Sequence, residues 1–308
     1  MLEIVDYSQA PKVLGALYGG AAGRKIGVVQ ERDVWMLKYP QSTRDNPNVA
    51  RSYTTSPLSE YIASHIYASL GIPVHETRLG VRDGKLIVAC KDFATEAKLI
   101  EFSKIKNSVA DELVTSNSSN SHGDLMADVL TTIELADEFA TMRDAVRARF
   151  WDMFVVDALV VNGDRNNGNW GVLQTGDAFE LAPVYDNGGS FFSKRNNDVF
   201  AARLANEEYV KQDAIGTNTS YYLRPDGHHY HPTKEILAGE TDGINQAILR
   251  LVPRIDLPAI TAMIEEIPQE YAGIEVMPAV VKRAYLTILT KVYEDVLLPA
   301  YERLLIRN

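Results

Sequence analysis

One segment of this chain fixes the shape of everything around it. Val161-Asn162-Gly163-Asp164-Arg165-Asn166-Asn167-Gly168-Asn169-Trp170-Gly171-Val172-Leu173 sets an Asn- and Gly-rich run between two apolar stretches. Such a run continues neither a helix nor a strand, so it reads as a turn between two buried elements. The turn opens on an Asp-Arg pair, and an Asn follows five positions after the Asp. A second acidic turn comes soon after, in Leu181-Ala182-Pro183-Val184-Tyr185-Asp186-Asn187-Gly188-Gly189. These are groups that phosphoryl transfer needs. One carboxylate orients an attacking hydroxyl, while an amide and a second carboxylate hold magnesium on the phosphates.

Composition narrows the class. The 308 residues, 46% hydrophobic and 23% charged, describe an ordinary globular chain with room for two lobes and an ample core. A net charge of −10 argues against holding a phosphate backbone, so no direct nucleic-acid partner is expected. The single cysteine, Cys90, allows no disulfide framework and no cysteine zinc site, which fits a reducing compartment. Met1 to Asp6 lacks a basic flank and a signal-peptide core. The apolar run from Met153 to Val161 is broken by Asp157 and falls short of a membrane span. A cytoplasmic protein with no membrane partner is the expectation.

Turn signals divide the chain. Ile26 to Val29 and Val34 to Tyr39 flank Glu31-Arg32-Asp33 as a hairpin, and Thr77 to Val81 with Leu86 to Cys90 flank the Asp83-Gly84 turn of a second. Between them Ser56 caps a helix with Pro57 in its first turn; Leu58, Ile62, Ile66 and Leu70 share one face, and Gly71 with Pro73 ends it. From about Thr95 the pattern turns helical, with Ala140 to Val161 helical and a hairpin from Trp170 to Leu181. Thr115 to His122 reads as a polar loop, Ser193 to about Pro232 as a long aperiodic segment, and Pro278 to Leu305 as a final helix or helix pair. A small β-rich lobe over 1–94 would precede a larger helical lobe over 95–308.

Site candidates follow from these placements. Asp164 is the acceptor-orienting carboxylate; Asn169 and Asp186 supply the hard oxygen atoms that magnesium prefers. Arg165 would neutralise or brace the turn. Lys38 closes an apolar strand, and Glu60 in the next helix would complete a Lys–Glu pair on the nucleotide phosphates. Gly19, Gly20 and Gly23, with Lys25 behind them, form the turn expected to cover phosphates, since glycines let backbone N–H groups approach an anion closely. Cys90-Lys91-Asp92-Phe93 is the expected hinge, where backbone would face an adenine ring. Each residue has a plainer alternative, such as an Asn/Gly turn, a solvated strand-end lysine or a helix-capping glutamate. The order of the parts favours chemistry. His228, His229 and His231 have no zinc-ligand pattern and read as a solvated loop.

With these parts in order, the chain resembles the HipA-like serine/threonine kinases, the toxin kinases of bacterial toxin–antitoxin modules. The resemblance rests on Asn162 to Asn169, on Ala182 to Gly188, and on the helix from Ser59 through Leu70-Gly71-Ile72-Pro73-Val74. It covers roughly 13–192 well and the C-terminal helices loosely. It implies an α+β, two-lobed protein-kinase-like fold and ATP with Mg2+. It implies a protein hydroxyl as substrate, an aminoacyl-tRNA synthetase being one such target, and an antitoxin protein as partner. Two departures stand out. The chain has the length of the compact members, and the Gly19 to Lys25 turn holds no serine or threonine for self-inhibition by autophosphorylation; Ser52, Thr54, Thr55 and Ser56 lie nearby. Two rivals remain from the residues alone: a small-molecule or lipid kinase of similar lobes, and a pseudokinase acting as a binding module.

Overall fold

The protein is described by a computed structural model over residues 2–14, 24–40, 54–113, 123–216 and 219–307. Its first layer is a five-stranded sheet in the order β1-β4-β5-β3-β2. The strands are β1 (Val5–Asp6), β2 (Lys25–Gln30), β3 (Asp33–Lys38), β4 (Thr77–Arg82) and β5 (Lys85–Lys91). All pairings are antiparallel except β1 on β4. Both hairpins form where the turn signals put them. Glu31 (φ 54) and Arg32 (φ 76) make the first turn, and Asp83 (φ 54) with Gly84 (φ 67) the second, the left-handed pairs that match strand twist.

Helix α1 (Ser56–Ser69) crosses between this sheet and the helical layer and is buried on nearly every side from Pro57 to Tyr67. It starts one residue earlier than expected: Thr55, not Ser56, stands at the N-cap, and Ser56 is the first helical residue. Polar groups fix both ends of it to the other lobe. The Tyr285 hydroxyl lies 2.9 Å from Thr55 Oγ1 and 3.0 Å from Ser59 Oγ, and Arg254 Nη1 donates to the Leu70 carbonyl at 3.2 Å. After the Gly71 exit, Pro73 to His75 bonds directly to the second lobe: Val184 N donates to Pro73 O at 2.9 Å, and His75 N to Val184 O at 3.0 Å.

β5 is the last strand of the first sheet, and β6 (Lys98–Glu101) belongs to another. The helical reading from Thr95 therefore misses a strand. β6 pairs with β8 (Gly171–Thr175), seventy residues away, and only that partner makes it a strand. Beyond it come α2 (Phe102–Lys106), β7 (Asp124–Leu125), α3 (Met126–Leu135) and α4 (Arg143–Leu159). β8 and β9 (Ala178–Leu181) form the hairpin expected after the polar turn. The Asn- and Gly-rich run thus joins the C-terminus of α4 to β8. Trp170 within it stacks on Phe102, with ring centroids 4.1 Å apart, which seats the turn on the core.

The segment from Ser193 to Pro232 is more ordered than its composition suggests. It holds α5 (Asn197–Leu204), α6 (Glu207–Lys211) and β10 (Tyr222–Leu223). Asn196 and Asn206 accept from the first-turn N–H groups of these helices, and Arg195 and Arg203 both grip the buried Asp213. Short helices held by caps and ion pairs leave no apolar period to read. Then follow α7 (Pro232–Ala238), α8 (Asp242–Leu251), α9 (Leu257–Glu265), the hairpin of β11 (Glu270–Tyr271) and β12 (Ile274–Glu275), α10 (Ala279–Val292) and α11 (Leu298–Arg307). α10 and α11 join through a π turn at Tyr293–Leu297, so the expected final helix is one rod with a bulge. No helix among the described residues is long and apolar enough to cross a membrane.

Gly171 has no room for a side chain. A Cβ on Gly171 would sit 2.0 Å from the Ile100 carbonyl oxygen, at the β6–β8 pairing that fixes the start of the hairpin. Gly171→Ala is expected to destabilise the fold by about 1–3 kcal/mol. Urea unfolding should show a lower midpoint with an unchanged slope; an unchanged midpoint would mean that the strands part freely here.

Candidate active site

Arg165 is buried at the centre of the site, and all five of its N–H donors have acceptors. Nε and Nη2 reach the two carboxylate oxygens of Asp157 on α4, at 2.9 and 3.1 Å. Nη2 also donates to Asn187 Oδ1. Nη1 donates to the backbone carbonyls of Asn169, at 3.1 Å, and of Tyr185. Tyr67 from α1, at 2.9 Å, and Asn162, at 3.0 Å, complete the shell of Asp157. Burial opposes the guanidinium charge, and the Asp157 carboxylate outweighs it, holding Arg165 above its ordinary range.

That single Nη1 brings the two polar turns together. It holds the carbonyl of Asn169 itself and the carbonyl of the residue before Asp186. A second tie runs the other way, from the Tyr185 hydroxyl to the Gly168 carbonyl at 3.1 Å. Asn169 spends its amide nitrogen on the Asp164 carbonyl at 2.9 Å, and its amide oxygen takes no hydrogen bond from the described residues. Asp186 accepts Lys38 on Oδ1 at 2.8 Å, and its Oδ2 takes no bond from the described residues. Two hard oxygen donors on adjacent, braced turns fit a magnesium ion.

Asp164 lies where these turns meet. Its N–H is fixed by Asn162 Oδ1 at 3.1 Å. Gly189 packs on it so closely that a Cβ there would lie 2.8 Å from Asp164 Cβ. Burial, then the Asp186 carboxylate, push the Asp164 carboxyl up, while Lys194 and Arg165 pull it down. Left-handed backbone flanks both turns, at Val161 (φ 51) and at Asp186 (φ 61). For a β-branched residue such as Val161 this conformation is strained, by about 1–3 kcal/mol, and the surrounding bonds hold it.

Lys38 at the end of β3 reaches across the lobes. Its ammonium lies 2.8 Å from Glu60 Oε2 and 2.8 Å from Asp186 Oδ1. Burial works against that charge, and the two carboxylates override it, so Lys38 titrates well above its usual value. Burial would raise Glu60, but Lys38 and His75 hold it well below the carboxylate range. The other oxygen of Glu60 accepts Asn187 N at 2.9 Å and lies 3.0 Å from His75 Nε2. Ser64 bridges the same two residues, 2.9 Å from Asn187 Nδ2 and 3.3 Å from His75 Nε2. Glu60, His75 and Cys90 place an oxygen, a nitrogen and a sulfur within 4.8 Å of one another. Lys38 already occupies the Glu60 carboxylate, so this cluster supports the ion pair.

The remaining sequence candidates divide. Lys25 stands opposite Lys38 in the β2–β3 ladder; burial lowers its ammonium and Asp186 raises it. Cys90 lies in mid-sheet between Met36 and Thr77, with its thiol pushed up by burial beside Lys38. Its backbone belongs to the sheet. Phe93, just past the sheet, keeps an N–H that no described residue accepts, and its ring lies 5.7 Å from that of Tyr185 and 6.4 Å from that of His75. Gly19, Gly20 and Gly23 lie outside the described residues, as does Ser52. Sequence reasoning did not find His75, Ser64, Asn187 or the partnership of Asp157. Only Asp157 carried a signal: a carboxylate inside an apolar helical stretch requires a buried cation.

The family model described as the HipA-like C-terminal domain matches residues 11–252. The chain belongs to this HipA-like family. It is 31% identical over 254 residues, 82% of this chain and 75% of the relative, to the serine/threonine-protein kinase CtkA of Helicobacter pylori. The crystal structure of that bacterium's proinflammatory kinase CtkA superposes with a TM-score of 0.87 at 27% identity, over 98% of this chain and 99% of that one. This HipA-like chain is therefore a kinase with the kinase-like α+β fold. HipA of Shewanella oneidensis, solved with HipB and its operator DNA, shares the fold at a TM-score of 0.54 and 12% identity, over 97% of this chain and 75% of that one.

Arg165→Lys is expected to lose stability by about 3–5 kcal/mol, because an ammonium cannot span these acceptors and leaves Asp157 underpaired. Urea unfolding and a phosphoryl-transfer assay should fall together. A variant that unfolds like the parent would show that the guanidinium is not the brace.

Proposed function

We propose that the chain is an ATP- and magnesium-dependent protein serine/threonine kinase in which Asp164 orients the acceptor hydroxyl. The observation that carries this reading is the Arg165 clamp, which gathers Asp164, Asn169 and Asp186 beside the Lys38–Glu60 pair. Lys38 contacts the nucleotide phosphates, with Glu60 setting its position. The Phe93 backbone meets the adenine, and Lys25 with the turn of Gly19, Gly20 and Gly23 covers the phosphates. Asn169 Oδ1 and the Asp186 carboxylate hold magnesium, which when bound neutralises phosphate charge. The printed name of the Helicobacter pylori relative supports a protein hydroxyl over a sugar or lipid acceptor.

A protein antitoxin is the partner this reading carries, by analogy with the HipB-bound neighbour. The net charge of −10 favours protein contacts over direct contact with nucleic acid. A cytoplasmic location agrees with the single buried cysteine.

Two variants separate the roles. Asp164→Ala should lower transfer by about 10²–10⁴-fold with ATP affinity nearly intact. Asp186→Ala should weaken magnesium-dependent ATP binding, read by titration calorimetry. Equal loss of ATP binding and transfer in Asp164→Ala would reject the assignment. Labelled ATP in a cell lysate tests the acceptor: label confined to small molecules would replace the protein-kinase reading.

A further inference from the structure

Lys38 is held by two carboxylates, Glu60 Oε2 and Asp186 Oδ1, each at 2.8 Å. Under the function proposed above Asp186 also serves the metal, so Glu60 is the partner dedicated to Lys38. A glutamate side chain is long and rich in rotamers, and it keeps one direction only when its second oxygen is fixed as well. Two groups reach that oxygen, Glu60 Oε1, among the described residues. Asn187 N donates to it at 2.9 Å, and His75 Nε2 lies 3.0 Å away. Glu60 is ionised beside Lys38, and a carboxylate only accepts hydrogen bonds. The proton between the two therefore sits on His75 Nε2, and a neutral or a charged ring can present it equally.

His75 is itself immobilised. Its ring is buried, and Ser64 Oγ, 3.3 Å from Nε2, accepts Asn187 Nδ2 at 2.9 Å. Its N–H donates to Val184 O at 3.0 Å, Val74 before it bridges Val184, and Glu76 after it accepts Lys91 N at 2.9 Å. Val184 stands two residues before Asp186. One residue thus serves both partners of Lys38: its backbone fixes the segment that leads to Asp186, and its side chain fixes Glu60. The Phe93 ring lies edge-on at 6.4 Å, so the adenine side is the other place where this imidazole could act.

We propose that His75 is a positioning residue for phosphoryl transfer, whose Nε2–H holds Glu60 so that the other carboxylate oxygen keeps Lys38 directed at the nucleotide phosphates. This assignment rests on the phosphate role proposed for Lys38. His75 touches neither nucleotide nor acceptor and moves no proton. Its effect is confined to the phosphates and spares the adenosine portion.

The test uses the full chain, steady-state kinetics, and titration calorimetry with ADP and with adenosine, magnesium present throughout. The amide nitrogen of glutamine can stand in for an imidazole Nε2–H, whereas that of asparagine, a methylene shorter, does not reach Glu60. His75→Asn should lower kcat/KM about 10- to 100-fold and ADP affinity about tenfold, with adenosine affinity within about twofold of the parent. His75→Ala should show the same losses, and it carries the comparison if the asparagine variant does not fold. His75→Gln should bring kcat/KM and ADP affinity back to within about threefold of the parent. In a Glu60→Gln background the further His75→Asn change should cost less than about twofold in ADP affinity, because its effect runs through Glu60. Parent-like ADP affinity in His75→Asn and His75→Ala, equal losses for ADP and adenosine, equal losses in His75→Asn and His75→Gln, or a loss that simply adds to that of Glu60→Gln overturns the assignment. If Lys38→Met loses ADP affinity while His75→Asn and His75→Ala keep it, only His75 is wrong. If Lys38→Met binds ADP as the parent does, the phosphate role of Lys38 falls and His75 falls with it.

Discussion

The buried contact between Arg165 and Asp157 is the interaction on which the site is built. A guanidinium in the core is tolerated only when every N–H finds an acceptor and its charge is matched. Asp157 matches the charge from α4, and the donors left over reach Asn187 and the carbonyls of Asn169 and Tyr185. Two loops separated by a hairpin are thereby fixed to one helix. The planar fork of arginine sets their relative position as well as their proximity.

The same requirement shapes the first lobe's contribution. Glu60 is buried, so both of its oxygens must be satisfied. Lys38 takes one, while Asn187 N and His75 take the other. Asn187 also meets Arg165 and Ser64, so the Lys–Glu pair and the Arg–Asp pair share a residue. Helix α1 is tied to the second lobe at Tyr67, Tyr285 and Arg254, which holds Glu60 in place. These bonds also offset the strained backbone at Val161 and Asp186, where the chain turns abruptly to present its polar groups.

Much of this was legible because it is local. Asp83-Gly84 specifies its hairpin by backbone preference, Gly71 and Pro73 stop α1, and the spacing of Asp164, Asn169 and Asp186 survives translation into a pair of turns. What escaped was set at a distance. β6 becomes a strand only when β8 arrives, and the helices of 197–211 depend on Asn caps and on Asp213. Cys90 and Phe93 both lie in the expected hinge, yet sheet pairing holds the backbone of the first, while the N–H of the second meets no acceptor among the described residues. His75 carried no signal, because a lone histidine after a helix gives no hint that it will lie beside a buried carboxylate.

The sequence by itself determined the chemical inventory: which carboxylates, amide and lysine are present, in what order, and on turns that expose them. Short-range backbone preference and side-chain type suffice for that. Tertiary structure alone decided which of them meet. Only folding brings Asp157, Asn187 and Tyr185 around one guanidinium, and only the crossing of α1 puts Glu60 between Lys38 and His75. The reason is desolvation. Once these charges leave water each must find its partner, and those partners lie too far apart along the chain for any local pattern to announce them.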